Sequence, residues 1–392
     1  MDKDLRTAES VCAGHPDKLC DQIADRILDE CLRSDTHSRV ACEVMATKGR
    51  IIIAGEISCA GKSNVRSIVR SVLSDVGYEP FDFKVQVYLH RQSPDISAGV
   101  SQSLEVRAGS DDDSKAIGAG DQGTMYGYAT NETHEMLPLP VVLAHRICKR
   151  VDEVRQNGIL RGSLPDGKAQ VTIEYEDDQP KRVQAVVVSV QHTSEKDLRA
   201  LKQEIYFQVL LPCFEAFPMD DDTEVLINPS GRFVEGGPAA DTGLTGRKLM
   251  VDTYGGLALQ GGGALSGKDA TKVDRTGAYM ARYIAKHVVA CGLASRCQVN
   301  LCYAIGKAVP VAVRVDTFGS ETIPKHMIDH AVLNSFPLSP SGMIDLLQLR
   351  RPIYAPTAVY GHFTNPNYPW EQLDRCAVLE SAVKKIQEHY SN

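Results

Sequence analysis

One order of elements is repeated three times along this 392-residue chain, and that repetition constrains its fold more than any single motif. Apolar periodicity predicts a strand over 5–11, a helix over 21–32, a hairpin over 39–57 turning at Lys48-Gly49, a helix over 63–76 and a strand over 83–89. In the first helix Ile23, Ile27, Leu28 and Cys31 share one stripe. The order returns as strand 124–129, helix 139–154, hairpin 170–191, helix 195–210 and strand 225–228, and again as 248–254, 273–291, 298–317, 324–333 and 352–360. Three β-α-β-β-α-β units at a spacing of about 120 residues predict an α+β protein with pseudo-threefold symmetry, each unit a sheet with helices on one face. The units are expected at 1–98, 115–231 and 232–375. Between the first two, 97–114 is rich in Ser, Gly and Asp, including Asp111-Asp112-Asp113, and reads as a mobile active-site loop.

The chemistry-bearing residues fall at the junctions of these units. Gly261-Gly262-Gly263-Ala264-Leu265-Ser266-Gly267-Lys268-Asp269 lies between a strand-like run and a helical run, where a phosphate-cradling loop belongs. Glycines let backbone N–H groups approach an anion, and Lys268 adds a point charge. From Gly262 the loop nearly satisfies G-x-x-x-x-G-K-[ST], but Asp269 stands where the magnesium-binding hydroxyl would be. A P-loop-like ATPase or kinase is therefore the alternative reading. Gly14-His15-Pro16-Asp17-Lys18 offers a phosphate donor, a carboxylate and an ammonium before a helix. Asp17 there is either a magnesium ligand or a helix cap. Gly118-Ala119-Gly120-Asp121-Gln122-Gly123 is a further close-approach turn, with Asp121 near a metal or a ribose. The third junction adds Asp241, Arg247, Lys248, Lys272 and Asp274.

Composition narrows the partners. A formal charge of −7 argues against nucleic acid, so cations beside glycine turns point to a small anion. Eleven cysteines lack C-x-x-C pairs, and those in apolar runs, such as Cys42, Cys59, Cys213 and Cys302, read as reduced core residues of a cytoplasmic protein. No apolar run is long enough for a membrane span, and residues 1–6 lack a signal-peptide core. Length alone predicts two or three domains.

Taken together, Gly-His-Pro-Asp-Lys, Gly-Ala-Gly-Asp-Gln-Gly and the Ser-Gly-Lys-Asp loop resemble the methionine adenosyltransferase (S-adenosylmethionine synthetase) family of bacterial type. The resemblance spans nearly the whole chain, through Gln92-Ser93-Pro94-Asp95-Ile96, Tyr126-Gly127-Tyr128-Ala129-Thr130-Asn131-Glu132, Gly243-Leu244-Thr245-Gly246-Arg247-Lys248, Tyr303-Ala304-Ile305-Gly306 and Tyr360-Gly361-His362-Phe363. It implies that ATP, L-methionine and water give S-adenosylmethionine, phosphate and pyrophosphate, with Mg2+ (two per site) and K+ as cofactors. It also implies a homo-oligomer whose dimer shares its active sites, in a dimer of dimers. By resemblance His15, Lys168, Arg247, Lys248 and Lys268 match triphosphate-binding positions with catalytic roles, and Asp17 and Asp274 match magnesium ligands. Glu43 matches the potassium ligand. Glu56, Gln92 and Lys272 match methionine positions, Asp241 lies near both substrates, Arg232 and Phe233 match the adenosine site, and Asp166, Gly167 and Ala264 match nucleotide contacts. The sequence departs from the family at Leu265, usually Phe, at Cys12-Ala13, usually more acidic, and at His90-Arg91, usually smaller. A thioether nucleophile has no proton to lose, so this reaction needs alignment and stabilisation of the leaving triphosphate rather than a general base.

Overall fold

The computed structural model describes residues 3–61, 63–92 and 102–391. The first unit contains β1 (Lys3–Val11), α1 (Pro16–Ser34), β2 (Arg39–Thr47), β3 (Arg50–Ser58), α2 (Val65–Val76) and β4 (Lys84–His90). After the short helix α3 (Leu104–Arg107), the second contains β5 (Gly123–Thr130), α4 (Leu139–Gln156), β6 (Ser163–Glu176), β7 (Gln179–His192), α5 (Leu198–Ile205) and β8 (Glu224–Ile227). The third contains β9 (Gly243–Leu244), α6 (Leu249–Asp252), α7 (Val273–Ala290), β10 (Arg296–Tyr303), β11 (Ala312–Asp316), α8 (Lys325–Ser335) and α9 (Pro340–Leu346). The C-terminal helix α10 (Cys376–Ser391) follows. The α+β class holds.

The sheets are not closed within the units. Their orders are β1-β6-β7-β8, β11-β10-β5 and β4-β3-β2-β9. The first unit thus lends β1 to the hairpin of the second, the second lends β5 to the third, and the third lends β9 to the first. Each hairpin stays in its own unit, while each leading strand crosses to a neighbour and closes a cycle of three. The strands after α2 and α5 return parallel to their hairpins, the pairing that a crossover through a helix allows.

Helices fill the space between sheets. In α1, Leu19, Ile23, Ile27 and Leu28 are fully buried. Helix α7 is buried along most of its length and lies so close to β5 that a Cβ on Gly127 would overlap the Ala281 backbone. Among the described residues no helix is long and apolar enough to cross a membrane. All eleven cysteines are free, with Cys42 and Cys213 buried but Cys59 and Cys302 only partly so.

Two expected strands are corrected. Residues 248–254 form α6 and a turn instead, because the Asp252 carboxylate is drawn into the core onto Lys18 and Thr253 Oγ1 donates back to the Leu249 carbonyl. Residues 352–360 form a 3-10 turn, Ala355–Ala358, since the Tyr354 and Ala355 N–H groups donate to Asp29 rather than to a ladder, and Pro352 and Pro356 have no N–H to give. The helix expected at 195–210 starts only after Asp197, whose side chain caps it, and passes into a π turn at Tyr206–Leu210. Helix α1 starts a turn earlier than expected, at Pro16, whose missing N–H suits the first helical position. Of the segment 97–114, residues 97–101 lie outside the described residues. From Ser103 onward it is tied down: Leu104 N–H donates to the Gly306 carbonyl, and Ala308 and Val309 N–H to Glu105.

Candidate active site

At the N-terminus of α1, Asp17 N–H donates to His15 Nδ1 at 3.2 Å. His15, not Asp17, is therefore the cap, and a neutral ring in this geometry carries its proton on Nε2. Burial, then the Lys248 and Lys168 charges, push the imidazole down to about 4, so at neutral pH it is an uncharged donor. Its cavity, about 380 Å³, is lined by Asp166, Gly167, Lys168, Gln170, Ser189 and Phe233 at one end of the β1-β6-β7-β8 sheet. Phe233 is fixed by His192, whose N–H donates to the Phe233 carbonyl and whose Nε2 accepts the Phe233 N–H at 3.0 Å. Burial raises the Asp166 carboxyl to about 6, despite the N–H groups of Gly237 and Gly167, and Asp241 adds to the rise. Arg232 and Asp241 lie exposed nearby in sequence.

Asp17 itself is almost fully buried. It accepts Leu244 N–H at 2.9 Å and the Lys248 ammonium at 2.6 Å, with Arg247 Nε 3.6 Å away. Burial alone would raise this carboxyl, but Lys248 and Leu244 hold it below the usual range. Lys168 likewise pairs with Glu9 at 2.6 Å.

A second cavity, about 430 Å³, opens on the outer face of the β4-β3-β2-β9 sheet. It is lined by Glu56, Gln92, Lys268, Lys272 and Asp274, together with Arg39, Ala41, His90, Arg91, Gly120 and Asp121. Lys268 pairs with Asp274 at 2.5 Å, Lys272 with Asp269, and His90 Nε2 with Glu56 at 3.0 Å. Gly263 must be glycine, because a Cβ there would sit 2.3 Å from Asp274 Oδ1. Glu43, two residues along β2 from Ala41, is pushed up first by burial, with Lys268 pulling the other way and Glu56 adding to it.

The Walker reading of the loop fails on geometry. Asp269 is buried and takes Val40 N–H, Thr271 and Lys272, so it braces the loop and has no room for a nucleotide metal. The Gly267 amide is already spent on Asp25, and α7 begins five residues beyond Lys268. Leu265 is buried, so this departure fills core space. Ala264 packs against Gly246, joining the glycine-rich loop to the Arg247-Lys248 turn.

The two cavities share no lining residue, so this chain gathers the predicted groups into two sets: one around His15, Asp17, Lys168, Lys248 and Phe233, the other around Lys268, Lys272, Asp274, Glu56 and Gln92. Comparison with known proteins places the chain in a family. The N-terminal, central and C-terminal domains of S-adenosylmethionine synthetase match residues 3–94, 116–233 and 235–372. The chain belongs to the S-adenosylmethionine synthetase family. It is 49% identical over 391 residues to an S-adenosylmethionine synthase of Desulforudis audaxviator, covering 97% of this chain and 99% of that one. It is 48% identical over 393 residues to one of Staphylococcus epidermidis, covering 97% and 98%. The enzyme is a methionine adenosyltransferase.

Sequence reasoning had named Gly120 only as part of a close-approach turn and His90 and Arg91 only as departures, and had passed over Arg39 in the cavity and Asp21, Asp25 and Arg275 behind it. For the aspartates a signal existed: Asp17, Asp21, Asp25 and Asp29 recur every fourth residue of α1.

Proposed function

We propose that this enzyme makes S-adenosylmethionine by attack of the methionine sulfur on C5′ of ATP and then hydrolyses the released triphosphate to phosphate and pyrophosphate. The observation that carries this reading is the set of four lysines, Lys168, Lys248, Lys268 and Lys272, each resting on a carboxylate at or beside the two cavities. A polyphosphate entering the site competes for these ammonium groups, most easily for Lys168, whose pair with Glu9 is the most exposed of the four. His15 Nε2–H and Arg247 supply further donors to the same anion. As charge gathers on the departing triphosphate, these groups act most strongly where the transition state needs them. Glu56 accepts the methionine ammonium, with Gln92, Lys272 and Asp241 completing the amino-acid contacts, while Phe233, Arg232, Asp166, Gly167 and Ala264 bound the nucleotide.

Among the described residues no three metal-ligating side chains converge. That fits magnesium, which commonly takes one or two carboxylates and completes its shell with phosphate oxygens and water. Asp17 and Asp274 would each hold one ion and Glu43 the potassium. Bound there, the ions would supply neutralisation of phosphate charge; Lys248 and Lys268, their carboxylates then engaged, would be free to turn to the nucleotide.

The two half-sites also favour an active site built from two chains. Lys168 and Glu56 stand on sheet faces that this chain leaves open, and those sheets expose Leu5, Tyr88, Leu226 and Leu244. A twofold dimer meeting on these faces pairs the His15 set of one chain with the Lys268 set of the other, and two such dimers form the tetramer.

Incubation with ATP, methionine, magnesium and potassium, read by mass, tests the chemistry. A methionine-dependent sulfonium product with phosphate and pyrophosphate is expected. ATP hydrolysis alone would return the protein to the ATPase reading.

A further inference from the structure

The four aspartates of α1 form a ladder. At 3.6 residues per turn, positions 17, 21, 25 and 29 follow one slowly drifting line along the helix. All are at most 1% exposed, where carboxylates are rare. Each accepts main-chain N–H groups from the third unit. Asp17 takes Leu244 at 2.9 Å, Asp21 takes Gly246 at 2.9 Å, Asp25 takes Gly267 at 2.8 Å, and Asp29 takes Tyr354 and Ala355 at 2.9 Å each. Buried cations balance the middle rungs. Lys18 lies between Asp21 and Asp252, and Arg275 forks onto both oxygens of Asp25 at 2.7 and 2.8 Å.

The two middle rungs hold particular peptides. Gly246 immediately precedes Arg247 and Lys248, and Gly267 immediately precedes Lys268. Arg275, while gripping Asp25, also donates to the Lys268 carbonyl at 3.1 Å, so the residue carrying that cation is held on both sides. The N–H fixed by each aspartate belongs to the peptide entering that glycine, so its planarity sets the glycine Cα, one residue before Arg247 or Lys268.

We infer that Asp21 and Asp25 are positioning residues for the reaction proposed above: from one rigid helix they set the Arg247-Lys248 turn and the Lys268 loop, and with them one half of each of two active sites. A shift of about 1 Å in such groups costs orders of magnitude in rate even with every ligand still bound. Asp29 makes the same kind of bond on the same helix, but its peptides carry no site residue. It therefore separates positioning from general support of the fold.

Because this inference rests on the proposed activity, wild-type enzyme is assayed first. A wild type that makes no sulfonium product would sink the functional reading itself. With an active wild type, Asp21→Asn, Asp25→Asn and Asp29→Asn are compared at saturating ATP and methionine, alongside their melting temperatures. All three should melt lower. Asp21→Asn and Asp25→Asn should lose at least about tenfold in kcat with KM for ATP changed less than about threefold, whereas Asp29→Asn should keep kcat within about twofold. Asp21→Glu, which retains the charge on a longer stem, should recover part of the loss. The inference is overturned if Asp29→Asn loses as much kcat as the other two, or if Asp21→Asn folds and turns over like wild type. Should Asp25→Asn be insoluble through its stranded Arg275, Asp21→Asn, whose Lys18 keeps Asp252, decides alone.

Discussion

The His15 cavity and the Lys268 cavity hold similar groups in different degrees of order. At the first, the Asp17 side chain is 2% exposed and simultaneously meets a lysine, an arginine and a backbone N–H. At the second, His90 and Glu56 pair with side chains 68% and 42% exposed. An exposed pair is worth about 0–1 kcal/mol, whereas stranding one partner of a buried pair costs about 3–5 kcal/mol. Around Asp17 the first region is thus set before any ligand arrives, whereas the second keeps, at His90 and Glu56, a pair that a ligand can replace at small cost.

The largest effect should come from dividing the two regions between chains. Lys268→Ala removes a charge aimed at the leaving group, so kcat should fall at least about tenfold in a protein that still folds. His15→Ala should be similarly poor. Refolded together, the two would form heterodimers with one doubly damaged site and one intact site, restoring about half the wild-type activity per heterodimer. Activity that stays at mutant level with heterodimers present would mean that His15 and Lys268 of one chain serve the same site, or that the two sites are interdependent, and the shared-site reading of this pair would be withdrawn.

A smaller effect should separate the regions by metal. Asp17→Asn replaces an anionic ligand by an amide and also frees Lys248, so the magnesium concentration needed for half-maximal rate should rise several-fold. Because the fixed frame lies here, methionine KM should hardly move. An unaltered magnesium titration would leave Asp17 as a rung of the helix ladder and nothing more.

How far the sequence foretold this arrangement depended on the range of the interaction. Periodicity located every hairpin and the helices α1, α2, α4, α7 and α8, because alternation and 3.6-residue stripes are local, but it left out α10. It could not show that β1, β5 and β9 leave their own units, since strand exchange is decided by packing between sequences more than a hundred residues apart. The lost strand at 248–254 failed for the same reason: its apolar residues read as β, but Lys18, 234 residues away from Asp252, pulls the chain into a helical turn. The glycine loop was legible in composition, whereas its dependence on Asp25 was not. His15 was legible as a phosphate donor, yet its service as the cap of α1 emerged only from the distance to Asp17.

The smallest effect tests the yielding region. His90 occupies Glu56, the group proposed to receive the methionine ammonium, at 3.0 Å. In the ligand-free enzyme the two side chains must part before the ammonium can bind, and at their exposure the contact is worth no more than about 1 kcal/mol. Removing the competitor in His90→Ala should therefore lower KM for methionine by at most about fivefold, since 1.4 kcal/mol corresponds to tenfold. The change should fall on KM alone, because the imidazole lies away from the departing triphosphate and acts before the chemical step. Steady-state rates at saturating ATP with varied methionine distinguish the outcomes. A higher KM would make His90 a methionine contact in its own right, and an unchanged KM would mean that the second region is as fixed as the first.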